Sequence, residues 1–146
     1  MIDILVINGP NLNLLGTREP EKYGSLTLKD IESNLELLAN ERGMSIDCFQ
    51  SNYEGHIIDK IHQSKCHFMI INPAAFTHTS IAIRDAILAT KIPFIEIHLT
   101  NIYNRESFRA KSYFSDIAYG CILGLGSNAY NLAMLEAINF VKNKGA

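Results

Sequence analysis

MIDILVINGPNLNLLGTREPEKYGSLTLKDIESNLELLANERG, residues 1–43, decides the fold, because it passes from an apolar strand through a long polar loop into an amphipathic helix. The run Ile4-Leu5-Val6-Ile7 reads as a strand over Met1–Asn8 that is buried on both faces. Asn8, Gly9, Pro10, Asn11 and Asn13 supply turn chemistry after it. Leu28, Ile31, Leu35 and Leu38 then keep helical spacing behind a Thr27 N-cap and stop at Gly43. The order is strand, functional loop, helix.

The alternation repeats to the end of the chain. Met44–Gln50 reads as a strand, Glu54–Gln63 as a helix with Ile57, Ile58 and Ile61 on one side, and His67–Asn72 as a strand closed by Pro73. A helix over about Thr79–Thr90, a strand over Pro93–Leu99, a strand over Gly120–Leu125 and a helix over about Ser127–Asn143 follow. Between them Asn101–Ser115 is polar and irregular, with one helical turn around Glu106. Strands separated by helices predict an open parallel α/β sheet, and 146 residues, 47% of them hydrophobic, suffice for a single domain with one sizeable core.

Bulk properties exclude several function classes. A formal net charge of −2 and a pI near 6.2 leave no basic stripe for a nucleic acid or an anionic membrane. No apolar run approaches membrane-spanning length, and Asp3 interrupts the N-terminal run with no basic leader before it, so neither secretion nor membrane insertion is expected. Cys48, Cys66 and Cys121 are odd in number and widely spaced, which reads as buried free thiols in a reducing cytosol rather than a disulfide framework.

The candidate functional residues collect at one edge. Ligands of open parallel sheets lie beyond the carboxyl ends of the strands. Here the first strand leads to Asn11, Arg18 and Tyr23, the third ends at Asn72 and leads to His78, and the fourth carries Glu96 and ends with His98. Glu96 and His98 are two apart on one strand, hence on one face, which suits an acid/base pair in which Glu96 orients His98. A zinc site using His78 and His98 is the alternative, although no HxH or HExxH pattern occurs. His56, His62 and His67 read as surface or strand-edge residues.

Arg18 and Tyr23 admit a sharper reading. Lowering a tyrosine pKa from about 10 to about 7 requires roughly 4 kcal/mol, and a guanidinium about 4 Å away supplies that order at an effective dielectric of 20. Arg18 can therefore activate Tyr23 as a base if the loop brings them together, with Pro20 and Gly24 bracketing a segment able to close as a lid. The plainer alternative is a solvated loop on which Tyr23 merely packs. Gly124, Gly126 and Ala129 match G-x-G-x-x-A, but the strand and acid that should follow are missing, so a tight strand-to-helix turn is expected instead. GTREP is not a phosphate loop of the GxxxxGK[ST] kind.

NGPNLNLLGTREPEKYG, INPAAFTHTSIAIRDAI, IEIHLTN and RESFRAKSYFSDIAYGCILGLG, in this order and spacing over nearly the whole chain, resemble type II 3-dehydroquinate dehydratase. The resemblance implies a flavodoxin-like three-layer sandwich with strand order 2-1-3-4-5 and a lyase converting 3-dehydroquinate to 3-dehydroshikimate in the shikimate pathway of aromatic amino acid biosynthesis. It implies Tyr23 as the base at C2, Arg18 as the cation that keeps Tyr23 ionised, and Asn11, through a water, as the group that stabilises the enolate. His98 would be the general acid at the C1 hydroxyl, with Glu96 beside it. Asn72, His78 and Arg109 match positions that bind substrate hydroxyls, and the backbone N–H groups of Leu99 and Thr100 match those that hold the carboxylate. No cofactor or metal is implied, since fixed dipoles can carry enolate stabilisation.

Asp85 lies seven positions beyond His78 on the next helix, about 10 Å farther along by helical rise, out of reach of its own pocket. The resemblance implies that it enters a neighbouring subunit's site in a cytoplasmic dodecamer built from trimers; an ordinary solvated helix charge is the alternative. Ala74 stands where the family often has glycine, and Thr100 where serine is common. Apart from the resemblance, the same sheet also hosts binding or signalling modules. A phosphoacceptor domain would show acids after its first strand, where this chain has asparagines, and a flavin carrier would be yellow when purified.

Overall fold

The structure, a computed structural model, describes residues 1–17, 19, 21 and 25–144. Strands β1 (Ile2–Asn8), β2 (Ile46–Gln50), β3 (Cys66–Asn72), β4 (Phe94–His98) and β5 (Gly120–Leu123) form one parallel sheet in the order β2-β1-β3-β4-β5. This is the expected flavodoxin-like order. β1 is an interior strand, with Asn8 in register with Gln50 on one side and Asn72 on the other. Its burial on both faces explains the continuous apolar run.

Helices α1 (Leu28–Glu41), α2 (Glu54–Gln63), α3 (Ile81–Thr90) and α4 (Asn128–Lys144) cover the two faces. Even-numbered β1 and β3 residues, Ile4, Val6, Phe68 and Ile70, pack with Ile31 and Leu35 of α1 and with Ala133 and Met134 of α4. Odd-numbered Leu5, Ile7, Met69 and Ile71 pack with Ile57 and Ile61 of α2 and Ile83 and Ile87 of α3. The period of two in the strands thus sorts side chains into two apolar layers, each fully buried aliphatic contributing about 1.5–3 kcal/mol.

Local chemistry sets the element ends. Thr27 Oγ1 accepts from Asp30 N–H at 3.1 Å while Asp30 Oδ2 accepts from Thr27 N–H at 3.0 Å, a capping box that starts α1. α3 begins two residues later than the sequence suggests, because Ala74–His78 forms a 3-10 turn and Ser80 Oγ caps Ile83 N–H at 3.0 Å. β2 begins at Ile46 rather than Met44, and β5 stops at Leu123 where Gly124, Leu125 and Gly126 all take positive φ. The irregular segment contains two 3-10 turns, Ile102–Asn104 and Ser107–Arg109, where one turn was expected. All three cysteines are free, but only Cys66 is buried; Cys48 is half-buried and Cys121 exposed, which corrects the expectation of buried thiols.

Candidate active site

The ends of β1 and β3 are drawn together by backbone. Gly9 N–H donates to Asn72 C=O at 2.8 Å, and a Cβ on Gly9 would stand 2.3 Å from the Pro73 carbonyl oxygen. Only glycine permits that approach. Beyond it opens a cavity of ≈ 160 Å³ walled by Asn11, Asn72, His78, His98, Arg105 and Arg109, with Leu99 and Thr100 at the end of β4 and Leu12, Leu14 and Leu15 on its apolar side.

Glu96 and His98 meet as the strand period requires. His98 Nε2 lies 2.6 Å from Glu96 Oε2, with Glu96 wholly buried and His98 5% exposed. Ser112 Oγ also donates to Oε2 at 2.9 Å, while Ser115 Oγ donates to Oε1 at 2.6 Å and Cys121 Sγ approaches Oε1 at 3.6 Å. Burial pushes the Glu96 carboxyl up, but the hydrogen bonds from His98, Ser115 and Ser112 and the charge of His98 outweigh it and hold Glu96 below the ordinary value of 4.5. An ionised carboxylate can remain buried here because all its partners are donors.

His78 faces the same cavity. Burial lowers its pKa, against an opposing pull from the Lys111 carbonyl that accepts from Nδ1 at 2.7 Å. The carbonyl can only accept, so Nδ1 carries the proton and Nε2 is the nitrogen available to a ligand. Among the described residues no group of three His, Cys, Asp or Glu side chains is arranged to hold a metal, so the zinc alternative gains no third ligand there.

Arg105 and Arg109 give the cavity its positive wall. Arg109 Nε donates to Glu106 Oε1 at 3.1 Å and Arg105 Nη1 to Thr100 Oγ1 at 3.3 Å. A small anion fits this wall and the two histidines. Asn72 is fixed from two sides: its Nδ2 donates to Tyr130 Oη at 3.0 Å and its Oδ1 accepts from Ala74 N–H at 3.2 Å. One N–H and one lone pair of the amide remain for a ligand. Tyr130 Oη donates in turn to Asn8 Oδ1 at 2.5 Å.

The structure therefore brings Asn11, Asn72, His78, His98, Leu99, Thr100 and Arg109 to one cavity, with Glu96 directly behind His98. Arg18 and Tyr23, with Pro20 and Gly24, lie outside the described residues. Asp85 is exposed on α3 and does not line the cavity. Gly124 and Gly126 spend their N–H groups on the His98 and Leu99 carbonyls, both at 3.0 Å, as a strand-to-helix turn would. Sequence reading missed Arg105, Ser112, Ser115 and Tyr130. Arg105 had a signal, since it precedes Arg109 by four in the polar segment after β4; the serines and the tyrosine had none, because their partners are distant in sequence.

Known proteins match this arrangement along its length. The family model for class II dehydroquinase matches residues 2–138. The 3-dehydroquinate dehydratase of Francisella tularensis subsp. novicida (strain U112) is 65% identical over 144 residues, 99% of each chain. Crystal structures of type II dehydroquinases from Butyrivibrio crossotus and Propionibacterium acnes superpose with TM-scores of 0.90 and 0.88, each at 39% identity, covering 94% and 95% of this chain and 97% of theirs. With its strand order, its edge cavity and this similarity over nearly its full length, the chain belongs to the class II dehydroquinase family.

Proposed function

We propose that this chain, as one catalytic domain over residues 1–146, dehydrates 3-dehydroquinate to 3-dehydroshikimate in the shikimate pathway. The observation that carries the reading is the buried Glu96–His98 pair opening onto a cavity with a cationic wall. The substrate is an anion whose C2 proton is acidified by the neighbouring ketone and whose C1 hydroxyl must leave as water. Tyr23, kept ionised by the Arg18 cation, removes the C2 proton, and Asn11 stabilises the enolate through a water. His98 gives a proton to the C1 hydroxyl as the C–O bond breaks and the enolate pair forms the C1–C2 double bond. Asn72, His78 and Arg109 bind substrate hydroxyls, and the Leu99 and Thr100 N–H groups hold the carboxylate. The reaction draws on fixed dipoles and proton transfer, with no cofactor or metal.

Assembly belongs to the same proposal. Ile81 (54% exposed) and Leu88 (47% exposed) flank Asp85 at helical spacings of four and three residues, so an apolar face surrounds the acid on α3. Docking of that face would carry Asp85 to a neighbour's cavity, in trimers that build a dodecamer. Among the described residues no helix is long and apolar enough to cross a membrane, and the proposed site of action is the cytoplasm.

The test is turnover of purified protein, followed by the ultraviolet absorbance of the conjugated product. Tyr23→Phe should abolish it and leave the oligomer intact; near-normal turnover in that variant would remove the tyrosinate mechanism.

A further inference from the structure

Ser112 Oγ accepts two backbone hydrogen bonds, from Phe114 N–H at 3.0 Å and from Ser115 N–H at 3.1 Å. A hydroxyl has two lone pairs and one proton. With both lone pairs occupied, the proton must point to the remaining partner, Glu96 Oε2 at 2.9 Å. Donors on both of its oxygens, Ser112 on Oε2 and Ser115 and Cys121 on Oε1, hold Glu96 as the ionised, acceptor-only carboxylate, so Oε2 carries no proton of its own. The second group on that oxygen, His98 Nε2 at 2.6 Å, must then be a donor.

We infer that Ser112 is a positioning residue that locks the tautomer of His98, holding a proton on Nε2 so that Nδ1 is the only ring nitrogen that exchanges a proton with a ligand. The lock stands on geometry around Oε2, and its catalytic meaning rests on the role proposed for His98. Without such a lock, a neutral Glu96 protonated on Oε2 could donate to Nε2 and leave the ring's proton on Nδ1. The imidazole would then lose the arrangement in which a second proton is stabilised by a buried carboxylate. With the lock, protonated His98 releases its proton from Nδ1 to the departing C1 hydroxyl, the C1–O bond breaks, water leaves, and neutral His98 returns to the Nε2–H form. Ser115 and Cys121 donate to the other oxygen, Oε1, and help keep the carboxylate ionised, while Ser112 donates to the atom that His98 uses.

The lock is read without turnover by neutron diffraction from perdeuterated crystals of the full chain, at a pH above the imidazole range. The expected map has deuterium on Ser112 Oγ directed at Glu96, deuterium on His98 Nε2 and none on Nδ1. Deuterium on Nδ1 with a bare Nε2 would overturn the inference. In solution, Ser112→Ala should lower kcat about tenfold while moving KM much less, the loss expected when a hydrogen bond to a charged group is removed, and Ser112→Thr, which restores the hydroxyl, should recover most of it. A Ser112→Ala enzyme with unchanged kcat also counts against the lock. The role of His98 is reported separately by His98→Ala: retained turnover there would sink the functional reading and leave the neutron result untouched.

Discussion

Two buried polar clusters stand at the same edge of the sheet on opposite faces, and they are built differently. On the α1/α4 face, Asn8, Tyr130 and Asn72 form a neutral chain of hydrogen bonds closed by a residue 122 positions from its partner. On the other face, Glu96 holds a charge among His98, Ser112, Ser115 and Cys121. The neutral cluster leaves Asn8 Nδ2 buried without a partner among the described residues, whereas the charged one has donors on both carboxylate oxygens. The difference follows from cost. An unpaired amide N–H buried in protein costs about 1–3 kcal/mol and can be carried by a stable fold, while an uncompensated buried carboxylate costs more and changes its protonation state instead. A neutral network can hold a scaffold; a charged one must also set a proton inventory.

That contrast can be broken most severely at Glu96. Glu96→Gln keeps the shape but replaces an acceptor-only group with an amide, which should lower kcat by about a hundredfold or more, the range associated with an acid/base partner, as measured by product absorbance. Near wild-type kcat in that variant would place the charged cluster on the scaffold side with the neutral one.

Its pH dependence follows from the same charge. Because the folded state holds Glu96 below 4.5, the group favours the folded state above that pH and loses this contribution as pH falls through the depressed folded value. Urea denaturation of wild type and Glu96→Gln should therefore show a stability gap that is constant above pH 4.5 and narrows in more acid solution. A gap that widens on acidification would reverse the assigned sign.

Tyr130→Phe sharpens the other side of the comparison. It removes the hydroxyl that serves Asn8 and Asn72 at once and should cost about 1–3 kcal/mol of stability by denaturant titration, with a smaller loss of kcat than Glu96→Gln. A larger loss of kcat than of stability would mean that the neutral cluster is part of the chemistry. The smallest effect is expected at Ala74, which holds φ of 52° beside that cluster. Ala74→Gly relieves a left-handed backbone and should stabilise by about 1 kcal/mol, or raise Tm by about 2–4 °C; a lower Tm would show that the turn needs the methyl group more than the conformation.

Much of this arrangement was legible from residue order. Thr27 announced α1, Ile57 and Ile61 announced the buried side of α2, and the two-residue spacing of Glu96 and His98 placed them on one face. These readings rest on local periodicity and capping, which act over a few residues. Boundaries were less legible where a 3-10 turn intervened, as before Ser80, or where successive positive φ angles ended a strand, as after Leu123.

The sequence by itself determined the alternation of strands and helices and the edge at which polar residues collect, because both follow from the period of side-chain burial and the direction of parallel strands. Only the tertiary structure decided which side chains complete the site. Ser112 and Ser115 reach Glu96 from 16 and 19 positions away, and Tyr130 reaches Asn8 from 122, through packing of a loop and α4 against the sheet. Hydrogen bonds of that kind depend on positions in space that no local pattern of residues encodes.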